Sequence, residues 1–248
     1  MKIIISPTKK MVVESDSFFA ESQPQFLPET KQILQELKSL SYEEAKKLWR
    51  CSDKVAQENY SHIQNLDLKR QSSPAIMTYK GLQYQYMAPD LFTEEAFIYI
   101  KNNLRILSGF YGILRPFDGV SPYRLEMQAP LSVSEANNLY KFWGSKLYES
   151  LHFDEGPVIN LASKEYTKTI APYLKSTDQL IEIVFASLVN GKPKIKATLA
   201  KMARGEMVRY MAENQVKEVE EIKQFEHPDY VFSNELSNTN QFVFVSQK

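Results

Sequence analysis

The chain has little of the chemistry on which disulfide, metal and membrane proteins depend. Its single cysteine, Cys51, excludes an intrachain disulfide and is typical of a reducing compartment. Three histidines are scattered with no Cys/His spacing of a zinc or iron–sulfur site: His62, His152 and His227. The apolar run in Met1–Pro7 is too short for a signal peptide or a membrane span. We therefore expect a soluble, cytoplasmic protein with no membrane contact, no metal site and no cofactor.

An excess of charge and the common nucleotide-binding motifs are lacking too. The 30 basic and 30 acidic residues cancel, so any binding of a polyanion must come from local clustering. No Walker loop, Gly-x-Gly-x-x-Gly or Gly-x-Ser-x-Gly sequence is present. No repeat, low-complexity tract or clear linker divides the 248 residues. These features predict one globular domain over residues 1–248.

Apolar periodicity and turn residues predict an α+β fold, a mixed β-sheet packed with helices. Helices are predicted between Glu29 and Leu68, with a capping box at Ser41–Glu44, and then from Thr93, over Glu135–Leu151 and over Ala197–Val216. Asn190-Gly191 predicts a hairpin turn. Strands are predicted at Lys2–Ser6, Pro74–Tyr79, Pro157–Ala162, Ile181–Val189, Lys192–Lys196, Tyr230–Ser233 and Phe242–Val245.

Basic residues concentrate near the C-terminal end of the chain. Six of them, against Glu206 alone, lie within 18 residues: Lys192, Lys194, Lys196, Lys201, Arg204 and Arg209. Such clustering gives a neutral protein one basic face, which is what binding to a phosphate backbone requires. The alternative is a solvated hairpin edge followed by a helix with ordinary surface charges.

The segment Leu104–Met127 combines three glycines, two prolines and three arginines. Leu104–Leu107 is predicted to be helical, so the following Gly109 and Gly112 outline a helix-hairpin-helix-like element with exposed amides that bind phosphate. Three arginines, two of them beside restricted backbone, are candidate phosphate clamps: Arg105, Arg115 and Arg124. The alternatives are a tight packing turn and structural pairs of Arg115 with Asp118 and of Arg124 with Glu126.

Two loops that follow predicted strands form a second candidate site. Ser6–Lys10 and Asn160–Tyr166 would lie together at the carboxyl edge of a parallel sheet, where ligands collect. Glu165 would serve there as a general acid or base, and Lys9 as an anion anchor. The other candidates for this pocket are Asn160, Ser163 and Tyr166. In the alternative interpretation Ser163 caps the next helix and Asn160 satisfies backbone groups.

Five blocks in order carry a family resemblance: Ile5–Met11, Leu104–Met127, Leu139–Gly144, Val158–Tyr166 and Lys201–Arg209. The first reads Ile-Ser-Pro-Thr-Lys-Lys-Met, and the third reads Leu-Tyr-Lys-Phe-Trp-Gly. Together they resemble the YaaA family of peroxide-stress proteins over almost the whole chain. The resemblance implies a role in the oxidative-stress response and binding of DNA, and the family is linked to limiting iron damage. Because nothing in the sequence looks like an iron store, we expect protection against iron to be indirect.

On this interpretation DNA binding is sequence-tolerant and depends on salt. Lys192–Arg209 supplies phosphate contacts, and the hairpin contact is formed or flanked by Arg105, Gly109, Gly112, Arg115 and Arg124. The main alternative is an enzyme that acts on a nucleotide or nucleobase through the Ser6–Lys10 and Asn160–Tyr166 loops. A protein-interaction factor with no nucleic-acid partner is a third possibility.

Overall fold

The computed structural model describes residues 1–13, 17–69 and 73–247. The strands in these ranges are β1 (Lys2–Ile5), β2 (Lys10–Met11), β3 (Ser73–Pro74), β4 (Tyr79–Lys80), β5 (Leu104–Ser108), β6 (Gly112–Leu114), β7 (Gly119–Val120), β8 (Val158–Leu161), β9 (Leu180–Val189), β10 (Lys192–Lys194), β11 (Tyr230–Asn238) and β12 (Gln241–Ser246). The α-helices are α1 (Leu27–Ser39), α2 (Tyr42–Trp49), α3 (Asp53–Asn65), α4 (Ala75–Thr78), α5 (Leu82–Met87), α6 (Glu94–Asn103), α7 (Leu139–Trp143), α8 (Lys146–Glu149), α9 (Lys164–Thr167) and α10 (Ala197–Glu213).

The main sheet has eight strands in the order β11-β12-β9-β8-β1-β5-β6, with β10 paired to β9. The five strands β12, β9, β8, β1 and β5 run parallel to one another. Strands β11 and β6 pair antiparallel with β12 and β5 at the two edges. Helices pack against this sheet. The predicted mixed sheet packed with helices in a single domain is therefore confirmed.

Strand β1 lies in the interior of the sheet, between β8 and β5. Its residues Ile3, Ile4 and Ile5 are fully buried, as expected for a β-branched run in a parallel sheet that is covered on both faces. Ile3 is in register with Ile159 of β8 and with Leu104 of β5. The carboxyl ends of β1, β5, β8 and β9 consequently lie along one edge of the sheet.

The helix α10 packs both on the sheet and on two helices from earlier in the chain. It packs on β9, on α6 and, most closely, on α5. A Cβ atom at Gly205 of α10 would lie 2.1 Å from the carbonyl oxygen of Gln83 in α5. The two helices therefore touch through their backbones, and only glycine fits at this crossing.

The helical region after residue 26 follows the sequence prediction. Ser41 and Glu44 form the capping box of α2, in which the Ser41 amide donates to Glu44 Oε2 at 2.8 Å. Thr93 caps α6 by accepting a hydrogen bond from the Ala96 amide at 3.3 Å. In the described ranges every helix is too short or too polar to span a lipid bilayer.

The helix-hairpin-helix-like element is a wrong prediction. Leu104–Ser108 is strand β5 and Gly112–Leu114 is strand β6, so the glycine segment closes a β-hairpin. The local residues do not decide the conformation here, because β5 pairs in parallel with the buried strand β1 and must be extended to do so. Tertiary pairing overrides local helical spacing.

Two other predicted elements differ in detail. Pro74–Tyr79, predicted to be a strand, is mostly the single helical turn α4, in which the Thr78 hydroxyl donates to the Pro74 carbonyl at 2.7 Å. Glu135–Leu151, predicted to be one helix, contains the two short helices α7 and α8. Gly144 ends the first of these with a φ of +50°.

We expect Gly205→Ala to destabilise the protein. At an exposed helix position this change stabilises by about 1 kcal/mol. Here the added methyl group meets the α5 backbone, and overpacking of this kind costs about 1–3 kcal/mol. Thermal or urea unfolding measures the change, with Ser61→Ala on the exposed side of α3 as a control of little effect. A higher unfolding midpoint for Gly205→Ala would contradict the close helix crossing.

Candidate functional site

A cleft of about 530 Å³ lies at the carboxyl ends of β1 and β8. The two loops predicted to meet there do so: the Ser163 amide donates to Ser6 Oγ at 2.8 Å, and the two hydroxyl groups lie 3.3 Å apart. Parallel pairing of β1 with β8 brings them together. The lining comprises Ser6–Lys10, Lys80–Gln83, Tyr123–Glu126, Ser163, Glu165, Tyr166, Lys201 and Arg204.

The cleft is strongly basic, because six cationic side chains face two carboxylates. Lys9 pairs with Glu126 across the cleft. Among the described residues no carboxylate pairs with four of the other cations: Lys10, Lys80, Arg124 and Lys201. These four side chains therefore leave their positive charge available for an anionic ligand.

Two of the lysines face each other directly. Lys10 of β2 and Lys80 of β4 are antiparallel cross-strand partners, and both are exposed. Like charges in directly opposite positions destabilise a strand pair. An anion bound between them would relieve this repulsion.

Arg204, like Arg124, is a half-buried cation of the cleft. Its Nε atom is buried and has no hydrogen-bond partner among the described residues. Burial lowers the pKa of the guanidinium group, and the charge of Glu182 partly offsets this effect. A buried donor without a partner is costly, so a ligand that accepts from it would gain a strong interaction.

Glu165 supplies a carboxyl group to the same cleft. Its Oε1 atom accepts a hydrogen bond from the Gln128 amide at 3.2 Å. Burial raises the pKa of Glu165, and the neighbouring charge of Glu126 adds to this, whereas backbone hydrogen bonds and Lys9 act in the opposite direction. A carboxyl group with a raised pKa is suited to proton exchange or to donating a hydrogen bond when protonated.

Neutral tyrosines form the floor of the cleft. Tyr123 and Tyr166 line it, and both rings are almost fully buried. The Tyr123 hydroxyl group lies 2.8 Å from that of Tyr79 and 2.7 Å from Ser108 Oγ. Burial raises the pKa of Tyr123 to about 12, and that of Tyr166 well above its ordinary value. These hydroxyl groups are therefore protonated at neutral pH and can donate hydrogen bonds.

Asn160 does not line the cleft, and it supports the loop instead. Its Oδ1 accepts from the Ala162 amide at 3.0 Å, and its Nδ2 donates to Thr167 Oγ1 at 3.0 Å. Ser163 occupies the N-cap position of α9, but its side chain contacts Ser6 rather than the helix amides. Asn160 therefore has the structural role of the alternative interpretation, and Ser163 has both a structural and a cleft-lining position.

The predicted phosphate-binding arginines divide into two groups. Arg124 lines the cleft. Arg115 pairs with Asp118, with 2.9 Å between Nη2 and Oδ1, and its Nη2 also donates to the Gln23 carbonyl. Arg105 lies at the amino end of β5 and donates to the carbonyl oxygens of Lys101 and Leu104. Arg105 and Arg115 thus have structural partners away from the cleft.

Gly109 and Gly112, which were predicted to expose amides to a phosphate backbone, are buried. A Cβ atom at Gly109 would lie 2.9 Å from the Leu125 carbonyl oxygen, and Gly112, with a φ of +76°, packs against the Trp143 ring. Ser108 Oγ accepts from the amides of the two residues between these glycines, at 3.2 and 2.8 Å. This turn is the tight packing turn of the alternative interpretation, and its amides do not face solvent.

The C-terminal basic cluster also divides. Lys201 and Arg204 line the cleft from α10. Arg209, one turn and a half further on, pairs with Glu213 at 2.8 Å. The remaining three lysines are exposed on and after the β9–β10 hairpin, which precedes α10: Lys192, Lys194 and Lys196.

Comparison with known proteins supports the family resemblance. The family model described as peroxide stress protein YaaA matches residues 1–236. The chain is 58% identical to a UPF0246 protein of Lactiplantibacillus plantarum over the full length of both chains. It is 54% identical to a UPF0246 protein of Pediococcus pentosaceus, over all of this chain and 99% of the relative. A UPF0246 protein of Agathobacter rectalis is 46% identical over 98% of each chain. The chain belongs to the YaaA family of peroxide stress proteins.

Several cleft residues of this YaaA-family chain were not found by sequence reasoning. Lys10 lies in the predicted Ser6–Lys10 loop, but its partner Lys80 is 70 positions away and meets it only through the short β2–β4 pair. Tyr123 and Glu126 come into the cleft from the segment after β7. Lys80 and Tyr123 each stand next to a Gly or Pro, and this local signal does not identify a partner.

We expect Glu165→Gln to raise the melting temperature of this YaaA-family chain at pH 7. Because the pKa of Glu165 is raised, the folded protein binds more protons than the unfolded chain between the two pKa values. Stability contributed by this group is therefore present at low pH and lost as the pH rises through the folded pKa. Glutamine does not ionise and so avoids that loss. The melting temperature of the variant should therefore exceed that of the parent by more at pH 7 than at pH 4.

Calorimetry at the two pH values measures this difference, with Glu58→Gln as a matched control. Glu58 is exposed on α3, so its replacement should shift the melting temperature equally at both values. A Glu165→Gln variant that is less stable than the parent at pH 7 would mean that the ionised carboxylate is stabilised in the cleft.

Proposed function

We propose that this protein acts in the peroxide-stress response by binding DNA through its basic cleft. The observation that carries the proposal is the convergence of unpaired cations from separate parts of the chain: Lys10, Lys80, Arg124 and Lys201, with the half-buried Arg204 among them. A chain with no net charge gathers these cations at one edge of its sheet. Phosphate groups are the anions that such clusters of lysine and arginine bind in nucleic acids.

The hairpin lysines extend this proposed surface. Lys192 and Lys194 alternate with Pro193 on β10, so the two side chains lie on the same face of the hairpin. The hairpin leads directly into α10, which carries Lys201 into the cleft. A duplex that lies across the cleft would meet the hairpin lysines at a flanking phosphate.

Binding of this kind is sequence-tolerant, because it uses the backbone and not the base edges. It also explains how the protein would reduce iron-driven damage without storing iron, since it would act at the DNA that the oxidants attack. A cytoplasmic location, where the chromosome lies, is part of the proposal.

Fluorescence anisotropy of a labelled duplex over a salt series tests the proposal. We expect Lys80→Ala/Lys201→Ala to weaken binding and to make the log–log salt dependence less steep by about 2, since each phosphate contact contributes about 0.9. Both lysines are exposed, so the fold should tolerate the changes. Arg204 is not suitable for this purpose, because it is half-buried and its Nε atom is fully buried.

The matched control is Lys175→Ala/Lys217→Ala, which removes the same charge from exposed positions outside the cleft. It should follow the salt dependence of the parent. A cleft variant and a control with equal slopes would contradict the assignment of DNA to the cleft. The variant Lys192→Ala/Lys194→Ala measures the contribution of the hairpin separately.

A further inference from the structure

The interior of the cleft differs chemically from its rim. At the rim, Lys10, Lys80 and Lys201 are exposed. Inside lie the buried rings of Tyr123 and Tyr166, with the half-buried Glu165 beside them. A volume of about 530 Å³ is within the range of about 300–1,000 Å³ that is typical of small-ligand sites. A duplex held at the rim would leave this interior unfilled.

One wall of the interior is suited to a single phosphate group. Lys201 and Arg204 are three residues apart on α10, so their side chains lie on the same side of the helix. The Arg204 Nε atom is buried without a partner among the described residues. A planar guanidinium group and an ammonium group side by side can hold one phosphate through charge-assisted hydrogen bonds.

The other wall is suited to a planar, polar ring. Tyr123, Tyr166 and Leu125 line this wall with the small part of each side chain that is exposed, and a base would lie over this narrow apolar floor. Glu165 Oε1 accepts a hydrogen bond from the Gln128 amide, and the Met127 backbone also contributes a hydrogen bond to this half-buried carboxyl group. The second oxygen can accept from an amino group of a base, or donate to a ring nitrogen when it is protonated.

We propose that the interior of the cleft is a subsite for one nucleotide. Its phosphate contacts Lys201 and Arg204, and its base lies against Tyr123 and Tyr166 next to Glu165. The nucleotide unit comes either from a free nucleotide or from an unpaired nucleotide of bound DNA. With DNA as its source the inference rests on the proposed function, whereas with a free nucleotide it stands independently.

Isothermal titration calorimetry of the full chain tests the free ligand. The probes are the common nucleoside 5′-monophosphates, the corresponding nucleosides and inorganic phosphate. We expect at least one monophosphate to bind about tenfold more tightly than its nucleoside or phosphate alone, because both walls contribute. Glu165→Ala and Lys201→Ala should each weaken this binding about tenfold. The controls Glu58→Ala and Lys175→Ala, at exposed positions outside the cleft, should not change it.

A second arm compares a blunt duplex with the same duplex carrying one unpaired 3′ nucleotide. Tighter binding of the overhang, by about fivefold or more, and loss of this preference in Glu165→Ala would assign the nucleotide to DNA. Saturable binding of a monophosphate would assign it to a free ligand.

The subsite is overturned if phosphate binds as well as every monophosphate and the overhang has no effect, or if the cleft variants bind like their controls. Blunt-duplex binding that persists in that case would leave the proposed DNA function standing. Conversely, nucleotide binding without any duplex binding would support the subsite and contradict the DNA function.

Discussion

The parallel placement of β1 between β5 and β8 is the constraint on which the rest of the structure depends. The three buried isoleucines of β1 fix this strand inside the sheet, and its direction decides where each following loop lies. Because β8 runs parallel to it, Ser6 and Ser163 come within hydrogen-bond distance at one edge. Strand β9 runs in the same direction into the β9–β10 hairpin, and α10, which follows this hairpin, presents Lys201 and Arg204 to the same space. The wall formed by the loops after β1 and β8 is thus a consequence of the strand order.

Within this frame the cleft concentrates interactions that do not stabilise the free protein. Lys10 opposes Lys80 directly, Arg204 carries a buried donor without a described partner, and burial disfavours the ionised form of Glu165. Two of the predicted phosphate-binding arginines outside the cleft do have partners, in the pairs of Arg115 with Asp118 and of Arg209 with Glu213. Local rules of stability are most often broken where a protein binds or reacts. The coincidence of these three unfavourable features, and not the number of basic residues, singles out the cleft.

The sequence allowed the sheet and two of the cleft loops to be predicted, because these depend on short-range patterns. A β-branched run ended by proline marks β1, and the loops after β1 and β8 follow from the end of each strand. The family blocks added the remaining motifs, and the family model agrees with them. Asn160 was predicted to line the pocket from the loop, but it lies in β8 outside the lining, and its side-chain partners could not be assigned from spacing.

The failures have a common physical origin in contacts between distant segments. Leu104–Leu107 has helical spacing, yet its pairing with β1 requires an extended chain. Gly109 and Gly112 are glycines because the backbone near Leu125 and the ring of Trp143 approach them, and the sequence does not show either neighbour. Likewise, nothing near Lys80 indicates that Lys10 is its partner. Sequence patterns indicate which kinds of residue form this site better than they indicate which individual residues belong to it.

Two kinds of cation in the site correspond to two kinds of phosphate contact. The exposed lysines of the rim and the hairpin are flexible, hydrated point charges, which suit a long polyanion whose phosphates need no fixed orientation. The side chain of Arg204 is half-buried with a buried Nε atom, and its guanidinium group has a fixed geometry that suits one oriented phosphate. The hairpin is itself pre-shaped, since Asn190 and Gly191 both adopt positive φ in a two-residue turn. A rim for a polymer and an interior for a single unit are therefore compatible within one cleft, and Lys201, which lies at the boundary of the two, serves both.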